Sequence, residues 1–212
     1  MDFGIEKLSA QPESEFKQAL LTNFHHFEAL YRVCGSRFWY GCGSYLIDGQ
    51  TYSYCPLMYE KQKLLFDYAK TGETLLELGV YMGHSLLICL LANPKLKIVA
   101  VDISDELAFP SITYLNSVFG NVITFLHNNS HQALELLKTQ KQTFDLFHID
   151  TDHRIDVLVA ELNNVVPLFA KERAELVIDD YDCFPDLGKS ITYKEITVPT
   201  CNWPNALISI EQ

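Results

Sequence analysis

The sequence predicts an α/β fold: an open, mostly parallel sheet of seven strands with helices on both faces and an antiparallel C-terminal edge. Three observations carry that expectation. Strand-like and helix-like segments alternate five times from residue 74 onward, the order that crossover helices between parallel strands impose. The last two strand-like segments, 190–198 and 206–210, have no clear helical pattern between them, which suits an antiparallel pair. Glycine, acidic or polar residues follow the first five strands, and ligands of such sheets bind at those strand ends.

Each element follows from its pattern. Residues 15–34 place Phe16, Leu20, Leu21, Phe24, Phe27, Leu30 and Tyr31 at helical spacing. Tyr45-Leu46-Ile47 and Gln50-Thr51-Tyr52-Ser53-Tyr54 flank Asp48-Gly49, a dipeptide suited to a type I′ hairpin turn. Residues 57–70 return to helix, with Leu57, Leu64, Leu65 and Tyr68 on one face. The chain thus divides into an N-terminal helical and hairpin extension, 1–56, and a main domain, 57–212. In the main domain, 74–78 is a buried strand and 85–92 a helix stopped by Asn93-Pro94. Residues 97–101 form the second strand, and 105–119 a helix interrupted near Pro110. Strands over 121–126 and 144–149 enclose a helix over 131–138. Ile155, Leu158, Leu162, Val165, Val166 and Phe169 mark a long helix, and 175–178 is the fifth strand.

Composition narrows the function classes. Among 212 residues, 16 are Lys or Arg and 27 are Asp or Glu, a net charge of −11, which phosphate backbones repel; nucleic acid is not an expected partner. The apolar run over 86–92 is too short to cross a bilayer, so no membrane partner is expected. The N-terminus has no basic start followed by an apolar stretch, and no secretion signal is read there. The six cysteines form no Cys-x-x-Cys pair or zinc-ribbon spacing, and read as reduced thiols of a cytoplasmic protein.

The residues after the strands carry the chemistry. Gly79 and Gly83, in Glu77-Leu78-Gly79-Val80-Tyr81-Met82-Gly83-His84-Ser85, permit a tight strand-to-helix turn and close approach to a ligand. Ser85 is placed to cap the helix. The spacing lacks the Gly-x-Gly-x-x-Gly of a dinucleotide site, and Glu77 would repel a pyrophosphate. Asp102, before Ile103, can accept both hydroxyls of a ribose. Asn128, Asn129 and Ser130 either meet an adenine edge or cap a helix. Asp150 ends the fourth strand, and Asp179 and Asp180 the fifth. If these strands are neighbours, the three carboxylates converge with no assured basic partner. A divalent cation (Mg²⁺, Mn²⁺ or Ca²⁺) relieves their repulsion; alternatively one caps a helix and the others face solvent. His153 is either a general base or a surface histidine.

Together, Glu77-Leu78-Gly79-x-x-x-Gly83-x-Ser85, Asp102, Asp150-x-Asp152-His153 and Asp179-Asp180-Tyr181 resemble the motifs of class I S-adenosylmethionine-dependent methyltransferases. Within them, the chain resembles the macrocin-type and other sugar O-methyltransferases, related to the catechol O-methyltransferases, over residues 57–182. The resemblance implies a Rossmann-like methyltransferase fold and cofactor contacts from Glu77, Gly79, Tyr81, Gly83, Ser85, Asp102, Ile103, Asn129 and Ser130. It further implies a magnesium ion on Asp150, Asp179 and Asp180, with His153 as base. The expected reaction is metal-assisted methyl transfer to a hydroxyl of a small, sugar-like molecule; a catechol or phenolic acceptor, or a non-catalytic S-adenosylmethionine-binding role, are the alternatives. The chain departs from the family at Thr151, where glycine is usual, at Lys171-Glu172-Arg173-Ala174, and in the short segment after Asp182. The aromatic stretch from Phe38-Trp39-Tyr40 to Tyr54 is either a lid over the acceptor or an interface in a homo-oligomer.

Overall fold

The computed structural model describes residues 3–37, 45–47 and 50–212. Its strands are β1 (Thr74–Leu78), β2 (Lys97–Asp102), β3 (Ile123–His127), β4 (Leu146–Ile149), β5 (Arg173–Ile178), β6 (Glu195–Thr197) and β7 (Ala206–Glu211). They form a single sheet in the order β3-β2-β1-β4-β5-β7-β6. β1 to β5 pair in parallel, while β7 runs antiparallel to both β5 and β6. The strand order reverses between β1 and β4, and a crevice outside the carboxyl ends of those strands follows from the topology.

The helices are α1 (Ile5–Ser9), α2 (Glu15–Thr22), α3 (Phe24–Val33), α4 (Tyr59–Ala69), α5 (His84–Ala92), α6 (Ala108–Phe119), α7 (Ser130–Thr139), α8 (Ile155–Val165) and α9 (Leu187–Ser190). Successive side chains of β1 point to opposite faces. Leu75 joins a core with residues of α1 to α6, and Leu76 joins a second core with α7, α8 and α9. The N-terminal helices therefore share their core with the sheet. α5 is buried on every side over His84–Leu90, which explains its unbroken apolar run.

Several expectations need correction. The single helix over 15–34 is two, broken at Asn23, whose Nδ2 donates to the Ala19 carbonyl at 2.8 Å. Pro110 does not interrupt α6: it is the third residue of the helix, in the first turn, where no intrahelical N–H bond is lost. On α4 the buried face contains Lys61, Gln62, Leu65, Phe66 and Tyr68, while Leu57, ahead of the helix, is exposed. The strand expected over 190–198 shrinks to β6, preceded by α9. Of the hairpin, the structure places an antiparallel bridge between Ile47 and Tyr54. Its Asp48-Gly49 turn and residues 38–44 lie outside the described residues. Among the described residues, Cys34, Cys89, Cys183 and Cys201 are free thiols, and no helix is long and apolar enough to cross a membrane.

His84, at the start of α5, is buried, with Nε2 2.8 Å from Tyr52 Oη. Burial pushes its imidazole down to about 3. The unfolded chain binds this proton near pH 6.5 and the folded chain only near pH 3, so stability falls as pH drops through that window, by ~1.4 kcal/mol per unit. Urea unfolding at pH 7.5 and pH 5 checks this: His84→Gln is expected to lessen the loss on acidification by about 2 kcal/mol relative to wild type.

Candidate functional site

A crevice of about 400 Å³ opens at the carboxyl ends of β1, β2 and β4, lined by residues that include Gly79, Asp102, Ile103, Asn129, Ser130 and Asp150. Gly79 forms its floor. The backbone there has φ +90°, and a Cβ on residue 79 would stand 1.7 Å from the Asp150 carbonyl oxygen, so only glycine lets the two loops meet. Asp102 ties the loops together: Oδ2 accepts the amides of Val80 (2.8 Å) and Tyr81 (2.9 Å), and Oδ1 accepts that of Ser104 (2.8 Å). A carboxylate has about four lone-pair sites, so about one remains for a ligand's hydroxyl. Ile103 leaves 74% of its surface exposed beside it, an apolar face suited to a flat ring. Asn129 settles on the cap: its Oδ1 accepts the Gln132 amide at 2.9 Å, while the residue still lines the crevice.

Glu77, Gly83 and Ser85 are not brought into this crevice. Glu77 has no exposed surface; it accepts from Ser85 Oγ, and its Oε2 lies 3.3 Å from His148 Nδ1. The expected Ser85 cap is not made; Gly83 precedes the helix with no side-chain cap. Tyr81, Ser85 and Asp150 instead border a small cleft with Tyr45. Two crevice residues went unread in the sequence. Val157 and Glu161 arrive from α8, one turn apart, and Glu161 is 3% exposed. Its Oε2 accepts from Thr151 Oγ1 at 2.7 Å, its Oε1 has no well-aligned hydrogen-bond partner among the described residues, and burial pushes the carboxyl up against the opposing effect of the Ser130 and Thr151 hydroxyls. A charged residue inside an apolar helical face was the available signal.

The acidic cluster forms where β4 and β5 end. Ile149 pairs with Ile178, and the Asp179 amide donates to the Ile149 carbonyl at 2.9 Å, so Asp150 and Asp179 stand side by side. Asp180 follows with φ +46°. The expectation of carboxylates without a basic partner is corrected here. Lys61 of α4, 3% exposed, puts its Nζ 2.7 Å from Asp179 Oδ1 and donates to Asp180 Oδ1 at 2.9 Å. Its ammonium also lies 4.8 Å from the centre of the Tyr45 ring. Burial opposes the charge on Lys61, but Asp179 and Asp180 more than offset it and hold the amine above its ordinary range. Burial likewise opposes ionisation of Asp179, yet Lys61 keeps it below the carboxylate range. Asp150 shifts the other way: burial, then the charge of Asp179, pushes it well up, and burial and Asp179 push Asp180 up as well.

The expected magnesium site does not fit these residues. Mg²⁺ and Ca²⁺ need oxygens at roughly 2.0–2.6 Å, and an ammonium nitrogen already occupies the space between Asp179 and Asp180 at 2.7 and 2.9 Å. Among the described residues, no group of three or more His, Cys, Asp or Glu side chains is arranged to hold a metal ion. His153 stands at the mouth, 44% exposed, with Nε2 3.9 Å from Asp180 Oδ2 and Nδ1 3.8 Å from Cys183 Sγ. An exposed imidazole beside a carboxylate can take a proton from a ligand at the cluster.

Comparison with known proteins agrees with this geometry. A family model described as Methyltransferase domain matches residues 76–181. No curated protein matches the chain in sequence. Among solved structures, the O-methyltransferase from Bacillus cereus, in complex with SAH, superposes with a TM-score of 0.64 at 11% identity, covering 99% of this chain and 98% of that one. The O-methyltransferase TomG from Streptomyces achromogenes, involved in tomaymycin synthesis and solved with SAM, gives 0.63 at 13% identity, covering 99% and 97%. TrmN from Thermus thermophilus gives 0.55 at 13%, covering 71% of this chain, which spans about half of it (48%). At such identities the likeness is one of fold.

Proposed function

The chain belongs to the methyltransferase-domain family, and on that premise we propose that it is an O-methyltransferase transferring the methyl group of S-adenosylmethionine to a hydroxyl of a small, sugar-like molecule. The observation that carries this reading is the sharing of Asp150 between the crevice and the acidic cluster, which sets a nucleoside-shaped space beside a general base. When bound, S-adenosylmethionine supplies an electrophilic methyl group on a cationic sulfur. Asp102 would accept a ribose hydroxyl, Ile103 would cover one face of the adenine, and Asn129 and Ser130 would border its edge. Gly79 keeps the floor low enough for the ligand to lie close to the backbone.

On the acceptor side, burial and Asp179 push the Asp150 carboxyl well up, and in its protonated form it can donate a hydrogen bond to an acceptor oxygen. His153 would remove the hydroxyl proton as the oxygen attacks, with the Asp180 carboxylate stabilising the imidazolium that results. Asp152, next to His153 in the chain, and Asp182, two residues after Asp180, are exposed, and carboxylates accept hydrogen bonds from sugar hydroxyls.

The test is release of S-adenosylhomocysteine with a panel of hexoses, glycosides and catechols. Release that depends on a hydroxyl acceptor is expected; a panel in which only amines are methylated would overturn the reading. His153→Ala is expected to lower kcat by ~10²–10⁴, with the deficit largest in acidic buffer and partly restored in alkaline buffer, where solvent base substitutes. A deficit equal at every pH would assign His153 to positioning instead.

A further inference from the structure

We propose that Lys61 is the resident cation of the acidic cluster: its ammonium takes the position of a divalent metal between Asp179 and Asp180, and the site binds no such metal. Three features of its setting carry this. Lys61 comes from α4, outside the strand ends that bear the carboxylates, and reaches them fully buried. Its head group meets two carboxylates at 2.7 and 2.9 Å. The third neighbour is the ring of Tyr45, itself buried and fixed by His148 Nε2 at 2.8 Å and by the Asn205 amide. A lysine merely passing an acidic surface would keep its head in water; this one is enclosed by an aromatic face and two anions.

The substitution has a chemical consequence. A divalent ion offers open coordination positions to a substrate oxygen and lowers its pKa, whereas an ammonium offers only three N–H donors; here two face Asp179 and Asp180, and the Tyr45 ring lies beside the head group. Lys61 is therefore a positioning residue: it holds the two aspartates in place without itself ligating an acceptor. Activation of the hydroxyl then rests on side chains alone, and vicinal hydroxyls, which a metal would chelate, bring no advantage. This consequence for turnover rests on the proposed methyl transfer; the metal-binding claim does not.

The experiment is Mn²⁺ titration followed by electron paramagnetic resonance, with Mg²⁺ as competitor, on the wild-type chain, Asp150→Asn, Lys61→Met, Lys61→Arg, and Lys61→Met combined with Asp150→Asn. Wild type and Lys61→Arg are expected to leave Mn²⁺ free at millimolar concentration. Lys61→Met should gain a site at least about tenfold tighter than wild type, and Asp150→Asn should remove the gain. Wild-type Mn²⁺ binding that disappears in Asp150→Asn overturns the proposal, as does a folded Lys61→Met that gains no site. If Lys61→Met fails to fold, the wild-type titration decides alone. Turnover, where measured, should survive a chelator; failure to turn over any acceptor with Mn²⁺ still unbound would count against the methyl-transfer reading and leave the cation assignment standing.

Discussion

Gly79→Ala is expected to be the most damaging single substitution in the crevice, lowering stability by about 4–5 kcal/mol or more, a loss reserved for backbone collisions and similar defects. Two penalties combine. The φ of +90° is strained for any residue with a side chain. The added methyl also meets the Asp150 carbonyl at 1.7 Å, and that carbonyl belongs to backbone whose amide is held by Leu78 at 2.8 Å. Neither loop can retreat without breaking the sheet ladder. Gly120 separates the penalties: it has the same φ of +90°, but nothing lies within 4 Å of its added Cβ. Gly120→Ala should therefore cost only about 1–2 kcal/mol. Urea unfolding of both variants checks the contrast; equal losses would mean the collision is relieved by a small loop shift.

Asp102→Ala is expected to weaken S-adenosylmethionine binding by about 10- to 100-fold, because the one charge-assisted hydrogen bond its remaining acceptor site can make to a ribose is worth ~1.5–3 kcal/mol. It also leaves the amides of Val80, Tyr81 and Ser104 without their acceptor, at a further cost of about 1–3 kcal/mol in stability. Asp102→Asn separates the roles. Its amide oxygen can still accept from Val80 and Tyr81, and the Ser104 amide, which loses its acceptor on Oδ1, is exposed and can turn to water, so the loop is largely kept, while the charge offered to the ribose is gone. Asp102→Asn should thus remain close to wild type in thermal unfolding and still lose most of its affinity.

The parallel sheet was legible because its strands and helices are short and differently patterned: β1 is covered on both faces and α5 is apolar all round. The meeting of Asp150 with Asp179 was legible for the same reason, since adjacent parallel strands end side by side. What covers those residues was not. Lys61 lies one turn before Leu65 and two before Tyr68, in the stripe that packs on the sheet, so a buried cation was written into α4. Its partners lie more than a hundred positions away (Lys61 to Asp180 spans 119), and no local pattern connects them. Glu77 shows the opposite case. Its place in a motif suggests a ligand contact, but the structure turns it inward to Ser85 and His148, a burial that only the packing of α5 and β4 decides. The break at Asn23 depends on a side-chain bond to Ala19 that apolar spacing does not register.

Titrating S-adenosylmethionine into the protein by isothermal calorimetry, with the folded Asp102→Asn variant in parallel, is the most direct test of the crevice as a nucleoside site. One ligand should bind per wild-type chain, with much weaker binding to the variant. No heat from the wild type, or equal affinity in both proteins, would contradict it.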